Sequence, residues 1–195
     1  MTPTARFDRL DRFIAEGRII RGSWGDGKER ACLLLALAPE VGSGNIAACP
    51  ASVLPPWLAE LTPPIDDNVA AADWQEIVAT YARVVRRGSE RLDADGWHRV
   101  LARFLAAILG DLPGEHPAAV AALWSRALAG DEPTEQEWQE AAMAAAQERA
   151  ARASAAALAA AEAAADAAWA AEDAAATWSR SARHLFAAIE AEVAA

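Results

Sequence analysis

Apolar residues recur every three or four positions along most of the chain, which is the spacing of one face of an α-helix. The clearest amphipathic runs begin at Trp74 and Trp97, and the 31–37 run is apolar all round, as in a central buried helix. Only 18–21 has the pattern of a brief extended segment. The pattern predicts an all-α fold with helices near residues 5–16, 28–38, 56–61, 73–87, 96–109 and 117–129.

Residues that favour helix ends set these predicted boundaries. Asp73 with Glu76, and Thr134 with Glu137, have the spacing of a capping box. Pro56 suits a first helical position, because its fixed φ and missing N–H cost nothing there. The remaining predicted starts are Thr4 and Asp95, and the predicted glycine stops are Gly17, Gly88 and Gly110.

The stretch from Thr134 to Ala195 lacks glycine and proline and is rich in alanine, so it is predicted to be helical. Polar residues stay in phase from Glu148 to Arg180, which indicates one continuous rod. The apolar face then changes side, and a kink or break near Thr177–Ser181 would explain the change. The terminal row predicted to face a core is Trp178, Ala182, Leu185, Phe186, Ile189 and Val193.

These elements predict a compact helical body over 1–130 and a long alanine-rich helical segment over 131–195, packed on the body or projecting from it. An unbroken helix of that span would be roughly 90 Å long, so we expect it to be kinked, to fold back or to pair with another copy. Two arrangements stay open. A homodimer through the alanine-rich helix is slightly favoured over a monomer with a bent tail.

The net charge of −10 is unevenly distributed along the chain. Residues 1–130 carry 16 acids and 14 bases, whereas residues 131–195 carry 12 acids and 4 bases. This acidity argues against direct nucleic-acid binding through the tail. An acidic helical surface can contact a basic partner, although a solvated acidic face is the usual explanation. The chain also lacks a signal-peptide pattern and a long apolar run, so we expect a cytoplasmic protein that does not enter a membrane.

The loop from Gly22 to Arg30 is the best candidate site for a small molecule or an anion. Gly25 and Gly27 allow close backbone approach, and Lys28 and Arg30 supply positive charge near an expected helix start. The spacing does not match a phosphate-binding loop, however. A tight turn with Trp24 tucked beneath it is the favoured interpretation.

Asp66 and Asp67 form a second candidate, because paired acids can bind a divalent ion or share a proton. A helix-ending and capping role is the commoner one for such a pair. Cys32 and Cys49, and the three histidines His98, His116 and His184, have no metal-ligand spacing. The basic patch of Arg83, Arg86, Arg87 and Arg91 suits the negative end of a helix dipole. No catalytic residue, metal or cofactor is predicted.

Three stretches resemble uncharacterised alanine- and tryptophan-rich proteins of bacteria, prophages and phages. They are 22–25 with 30–40, 49–58 and 61–67, and the likeness covers roughly residues 18–85. The resemblance implies a microbial or viral origin and carries no activity. The sequence therefore favours a non-enzymatic interaction protein, such as a phage accessory protein that binds a macromolecular partner. The alternative is a small-molecule or anion-binding protein, or an enzyme, that uses the Gly22–Arg30 loop.

Overall fold

The computed structural model describes residues 1–111, 115–144 and 167–195, and the regular elements in these ranges are helices. The described residues contain no β-strand, only two single-residue bridges that join Ala31 to Ile19 and to Gly25. The predicted all-α fold is therefore confirmed. The helices are α1 Pro3–Ala15, α2 Leu33–Leu37, α3 Pro56–Asn68, α4 Trp74–Arg91, α5 Ala94–Gly110, α6 Glu115–Leu128, α7 at 135–144 and α8 Ala167–Ala194.

The chain divides into two compact units. The first comprises Met1–Trp97 with Ala174–Ala195, and the second comprises His98–Asp173. In the first unit, α1 packs on α2 and α4, and α3 packs on α2. All five residues of α2 are buried, as expected for a helix that is apolar all round. Burial of each of its leucines stabilises the fold by about 2 kcal/mol.

The apolar faces predicted for the first unit lie in its core. The buried members are Phe7, Leu10 and Phe13 of α1, Ile77, Val78, Tyr81, Val84 and Val85 of α4, and Ala182, Leu185, Phe186 and Ile189 of α8. Tyr81 is fully buried, and its hydroxyl forms a hydrogen bond of 2.6 Å with the hydroxyl of Thr62. Because a buried hydroxyl without a partner is costly, this pair fixes α3 against α4.

Several predicted helix boundaries are wrong. The helix expected at 28–38 begins only at Leu33, because residues 26–31 form a closed turn and Cys32 is the N-cap. The helix expected at 56–61 continues to Asn68 through Pro63 and Pro64. Each proline removes one backbone hydrogen bond. The helix persists beyond them because Ile65 and Asp66 in its next turn are buried.

One predicted stop and two predicted starts also differ. Gly88 does not end α4, which continues to Arg91. The missing side chain of Gly88 instead leaves room for the Trp97 ring. Thr2, not Thr4, caps α1 by accepting a hydrogen bond from the backbone N–H of Ala5. Asp93, not Asp95, accepts the N–H of Gly96 at the start of α5.

The C-terminal helix α8 is continuous across 177–181, so the predicted break is absent there. Ser179 is buried within it, and its hydroxyl accepts the backbone N–H of Ala70 at 3.0 Å. This side-chain contact explains why a polar residue interrupts the apolar row without ending the helix. The part of the predicted rod over 148–166, its fold-back and the dimer contact through it lie outside the described residues.

In the second unit, the predicted capping box at Thr134 and Glu137 is confirmed. The Glu137 carboxylate accepts the backbone N–H of Thr134 at 2.7 Å, and the Thr134 hydroxyl accepts the N–H of Glu137 at 3.3 Å. The reciprocal pair satisfies two donors that a helix start otherwise leaves open. Asp73 and Glu76 differ, since Asp73 is the N-cap of α4 but makes no cap hydrogen bond and instead pairs with Arg183 at 3.1 Å.

Candidate functional site

The Gly22–Arg30 loop is a turn closed around the carboxylate of Asp26. One oxygen of Asp26 accepts the backbone N–H groups of Lys28, Glu29 and Arg30 at 2.8, 2.8 and 3.1 Å. These hydrogen bonds lower the pKa of Asp26, since they stabilise its charged form. The amides that an anion site would need are therefore occupied by the chain's own carboxylate.

Gly25 and Gly27 serve the geometry of this turn. Both have positive φ, +77° and +69°, and a Cβ on Gly25 would lie 2.3 Å from the carbonyl oxygen of Arg30. That carbonyl accepts the N–H groups of Asp26 and Gly27, each at 3.0 Å. The glycines thus permit a tight closure. No ligand is needed to explain them.

Arginines from outside the loop bind its carbonyl groups. Arg9 donates to the carbonyl of Gly27 at 2.6 Å, and Arg18 donates to the carbonyl of Glu29 at 2.7 Å and to that of Lys28. The side chains of Lys28 and Arg30 are exposed. The positive charge that holds the loop therefore comes from Arg9 and Arg18. No sequence pattern indicated this role, because Arg9 lies on α1, distant from the loop along the chain.

Asp66 and Asp67 lie in different environments although they are adjacent. Asp66 is 1% exposed, and its carboxylate accepts the backbone N–H of Leu33 at 3.1 Å and the indole N–H of Trp74 at 3.0 Å. Burial raises the pKa of Asp66 to about 6. The two hydrogen bonds act in the opposite direction, since they favour the carboxylate. Asp66 therefore links the start of α2 to α3 and α4.

Asp67 is exposed and connects the two candidate regions. Its carboxylate accepts the backbone N–H of Gly22 at 2.7 Å. Arg21 reinforces the junction by donating to the backbone carbonyls of Asp67 at 3.0 Å and Val69 at 2.6 Å. The structure thus brings the glycine loop and the acid pair together, which their separation in sequence did not predict.

A small cavity of about 100 Å³ lies at this junction, below the size that most small-molecule ligands need. The buried thiol of Cys32 lines it, and burial raises the pKa of that thiol to about 11. Because the thiolate is the reactive form, Cys32 is a poor nucleophile at neutral pH. Trp24 also lines the cavity and lies against Gly44.

Metal-binding side chains are not gathered anywhere in the described residues, where no group of three or more His, Cys, Asp or Glu has the required proximity. His98 is exposed, and His184 is half-buried on α8. The side chain of His116 lies outside the described part. None of the helices in the described residues has the length and apolarity to cross a bilayer.

The second unit carries a tryptophan pair on its surface. The rings of Trp124 in α6 and Trp138 in α7 lie 4.8 Å apart between centroids and are tilted by 56°. Both side chains remain half-buried. A surface cavity of about 240 Å³, here called the Trp124–Trp138 pocket, is lined by both rings and by His98, Arg99, Ala102, Ala127, Leu128 and Glu132. The helical spacing predicted that Trp124 faces inward, and it did not indicate the pairing.

The stretch of chain next to this pocket is strongly acidic. Residues 131–140 contain five acids and no base, namely Asp131, Glu132, Glu135, Glu137 and Glu140. Arg126 of α6 neutralises two of them, pairing with Asp131 at 2.7 Å and with Glu137 at 2.6 Å. Glu132 lines the pocket itself. The pocket therefore combines aromatic surface with a rim that holds the Glu132 carboxylate and the Arg99 guanidinium, next to an acidic stretch of the chain.

Comparison of the chain with models of protein families, with curated proteins and with solved structures finds no match. The case for a function therefore rests on the geometry of the described residues.

Proposed function

We propose that the protein is a non-enzymatic helical interaction protein that binds a basic segment of a protein partner at the Trp124–Trp138 pocket. The observation that carries the proposal is the pair of tryptophan rings left half-buried at a surface cavity. Tryptophan and arginine dominate the binding energy of protein interfaces, because large rigid rings bury much area with little loss of entropy. This pair has the size and position of such an anchor.

The chemistry of the rim favours a basic partner. A lysine or arginine side chain that entered the pocket would meet the carboxylate of Glu132 and the electron-rich faces of the rings. The acids of residues 131–140 would steer such a partner toward the second unit.

The alternative function, a small-molecule or anion site at the Gly22–Arg30 loop, has weaker support. Asp26 occupies three of the loop amides, and the Asp66 carboxylate is engaged by Leu33 and Trp74. Each of these groups has a sufficient structural explanation. Of the predicted site residues, Gly25, Gly27, Asp66 and Asp67 thus hold the first unit together, whereas the side chains of Lys28 and Arg30 are exposed.

Affinity purification from the organism that encodes the chain tests the proposal. Tagged wild type, Trp138→Ala, Glu132→Lys and the control Met143→Ala would be compared, since Met143 is exposed apolar surface in the same unit but lines no part of the pocket. We expect wild type and Met143→Ala to retain the same basic protein, and both pocket variants to lose it with unchanged helix content.

Binding must then be reproduced with the two purified proteins, with an affinity at least about tenfold weaker for Glu132→Lys. The proposal is wrong if no protein is retained specifically while the purified chain converts a small molecule. It is also wrong if a retained protein binds wild type and both pocket variants equally.

A further inference from the structure

A surface groove runs between α1 and α4 in the first unit, here called the α1–α4 groove. It consists of two cavities of about 400 and 320 Å³ that share Ile14 as a lining residue. Along α4 the lining positions are Trp74, Gln75, Val78, Ala79, Ala82, Arg83, Arg86 and Arg87. These positions recur at helical spacing over about four turns, or roughly 20 Å. The groove is therefore as long as a short helical peptide.

Small side chains form the middle of the groove. Ala15 of α1 and Ala79 of α4 are exposed, and Ala82 lies buried beside them. Alanine at such positions lets the backbone of another helix come close, because no larger side chain holds the two axes apart. The shape therefore suits a helix better than an extended strand or a compact small molecule.

Three arginines line one end of the groove, and ion pairs engage two of them. Arg86 pairs with Asp8 at 2.7 Å and with Asp11 at 3.0 Å, and Arg83 pairs with Glu190 at 2.8 Å. Arg87 is exposed and makes no ion pair or hydrogen bond within the described part of the chain. Its guanidinium group is thus available to form a bidentate pair with a carboxylate.

We propose that the α1–α4 groove binds an acidic amphipathic helix of a protein partner. The apolar face of that helix would pack on Ala79, Ala82 and Val78, and a carboxylate near one end would pair with Arg87. This surface belongs to the first unit and uses none of the residues of the Trp124–Trp138 pocket. It favours an acidic partner, whereas the pocket favours a basic one. It is therefore a second binding function, and it stands whether or not the first proposal holds.

Fluorescence anisotropy with labelled 18-residue peptides tests the groove in the full chain. Two peptides carry alanine and leucine on one helical face, with glutamates in either the first or the last two turns, and a scrambled peptide of equal composition is the control. We expect one of the two amphipathic peptides to bind and the scrambled one to bind at least about tenfold more weakly.

Variants of the chain then locate the binding. Arg87→Glu should weaken it at least about tenfold, whereas Arg91→Glu, a change of the same charge on the same helix outside both cavities, should alter it less than about twofold. Ala79→Trp should abolish binding by filling the groove. Because Ala79 is exposed, we expect the melting temperature of that variant to stay unchanged.

Four results would overturn the proposal. Neither amphipathic peptide binds at about 100 μM, or Arg87→Glu and Arg91→Glu weaken binding equally, which would indicate unspecific charge attraction. A third is that dodecanoate binds the wild type but not Ala79→Trp, while the peptides bind neither protein. This result would assign the groove to a small anionic amphiphile. The fourth is that the wild type is a dimer by light scattering and Ala79→Trp is a monomer, which would assign the groove to a second copy.

Discussion

The indole N–H of Trp74 donates to the Asp66 carboxylate at 3.0 Å, and this contact ties the first turn of α4 to the last turn of α3. The second oxygen of the same carboxylate accepts the N–H of Leu33 at 3.1 Å and so begins α2. A buried acid at the start of a helix satisfies a donor that burial would otherwise leave unpaired. Asp66 is therefore the point where three helices of the first unit meet.

Asp66 should make stability fall as pH rises. Burial raises the pKa of this group from 3.8 to about 6, so the folded state prefers it protonated. The favourable contribution of Asp66 to the free energy of unfolding is complete below pH 3.8 and is lost as the pH rises through 6. The raised pKa corresponds to at most about 3 kcal/mol. We expect the free energy of unfolding of wild type, relative to Asp66→Asn, to fall by up to that amount between about pH 4 and pH 7.

Urea unfolding of both proteins across this range measures the effect. Asp95→Asn, at an exposed position near the start of α5, controls for the loss of one negative charge. The interpretation fails if the difference between wild type and Asp66→Asn stays constant with pH.

Asp26 should show the opposite dependence. Hydrogen bonds from the backbone amides of Arg30, Lys28 and Glu29 lower its pKa below 3.8, so its contribution is present at neutral pH and is lost as the pH falls through the lowered value. We expect Asp26→Ala to be less stable than wild type at pH 7, with a penalty that shrinks toward pH 3. Chemical denaturation at both pH values checks this. Glu29→Ala, a change of the same charge in the same loop, should show no such penalty.

A comparison of alanine substitutions at Gly25 and Gly17 distinguishes the cost of backbone strain from that of a steric collision. Both have positive φ, +77° and +64°, but a Cβ on Gly17 meets nothing within 4 Å. Gly17→Ala should therefore cost only the left-handed conformation, about 1–2 kcal/mol. Gly25→Ala adds the collision with the Arg30 carbonyl and should cost about 3 kcal/mol or more. Thermal unfolding of the two variants provides the measurement. Equal losses of stability would show that the turn moves away from the added Cβ of Gly25→Ala without a cost in free energy.

Local patterns predicted the helical fold well because helical periodicity and capping act within a few residues. The apolar faces of α1 and α4 and the Thr134–Glu137 capping box follow from such spacing alone. The ends of α2, α3 and α4 did not follow, since they depend on contacts distant in sequence. Pro63 and Pro64 normally end a helix, and only the buried Asp66 beyond them shows why this one continues.

The residues of the candidate region and the turn that its loop forms were predicted, but the groups that hold this turn were not. Gly25, Gly27, Asp66 and Asp67 do lie in one connected region, through the bond from Gly22 to Asp67. Asp favours turns in which its carboxylate accepts backbone N–H groups of the residues that follow, and Asp26, which was not a predicted site residue, does so here. The Trp124–Trp138 contact depends likewise on how α6 meets α7.

Gly88 provides a test of tertiary packing against helix propensity. It lies inside α4, where alanine is favoured by about 1 kcal/mol. A Cβ there would lie 2.7 Å from the Trp97 ring and 3.1 Å from Ile189. Overpacking costs about 1–3 kcal/mol, so we expect Gly88→Ala to lower the free energy of unfolding despite the better propensity. Gly110→Ala, at a helical position with nothing within 4 Å, should leave stability unchanged or raise it.

In a Trp97→Phe background the smaller ring should reduce the penalty of Gly88→Ala, which a double-mutant cycle by urea unfolding measures. A penalty that is the same in both backgrounds would mean that the Trp97 ring does not limit this position.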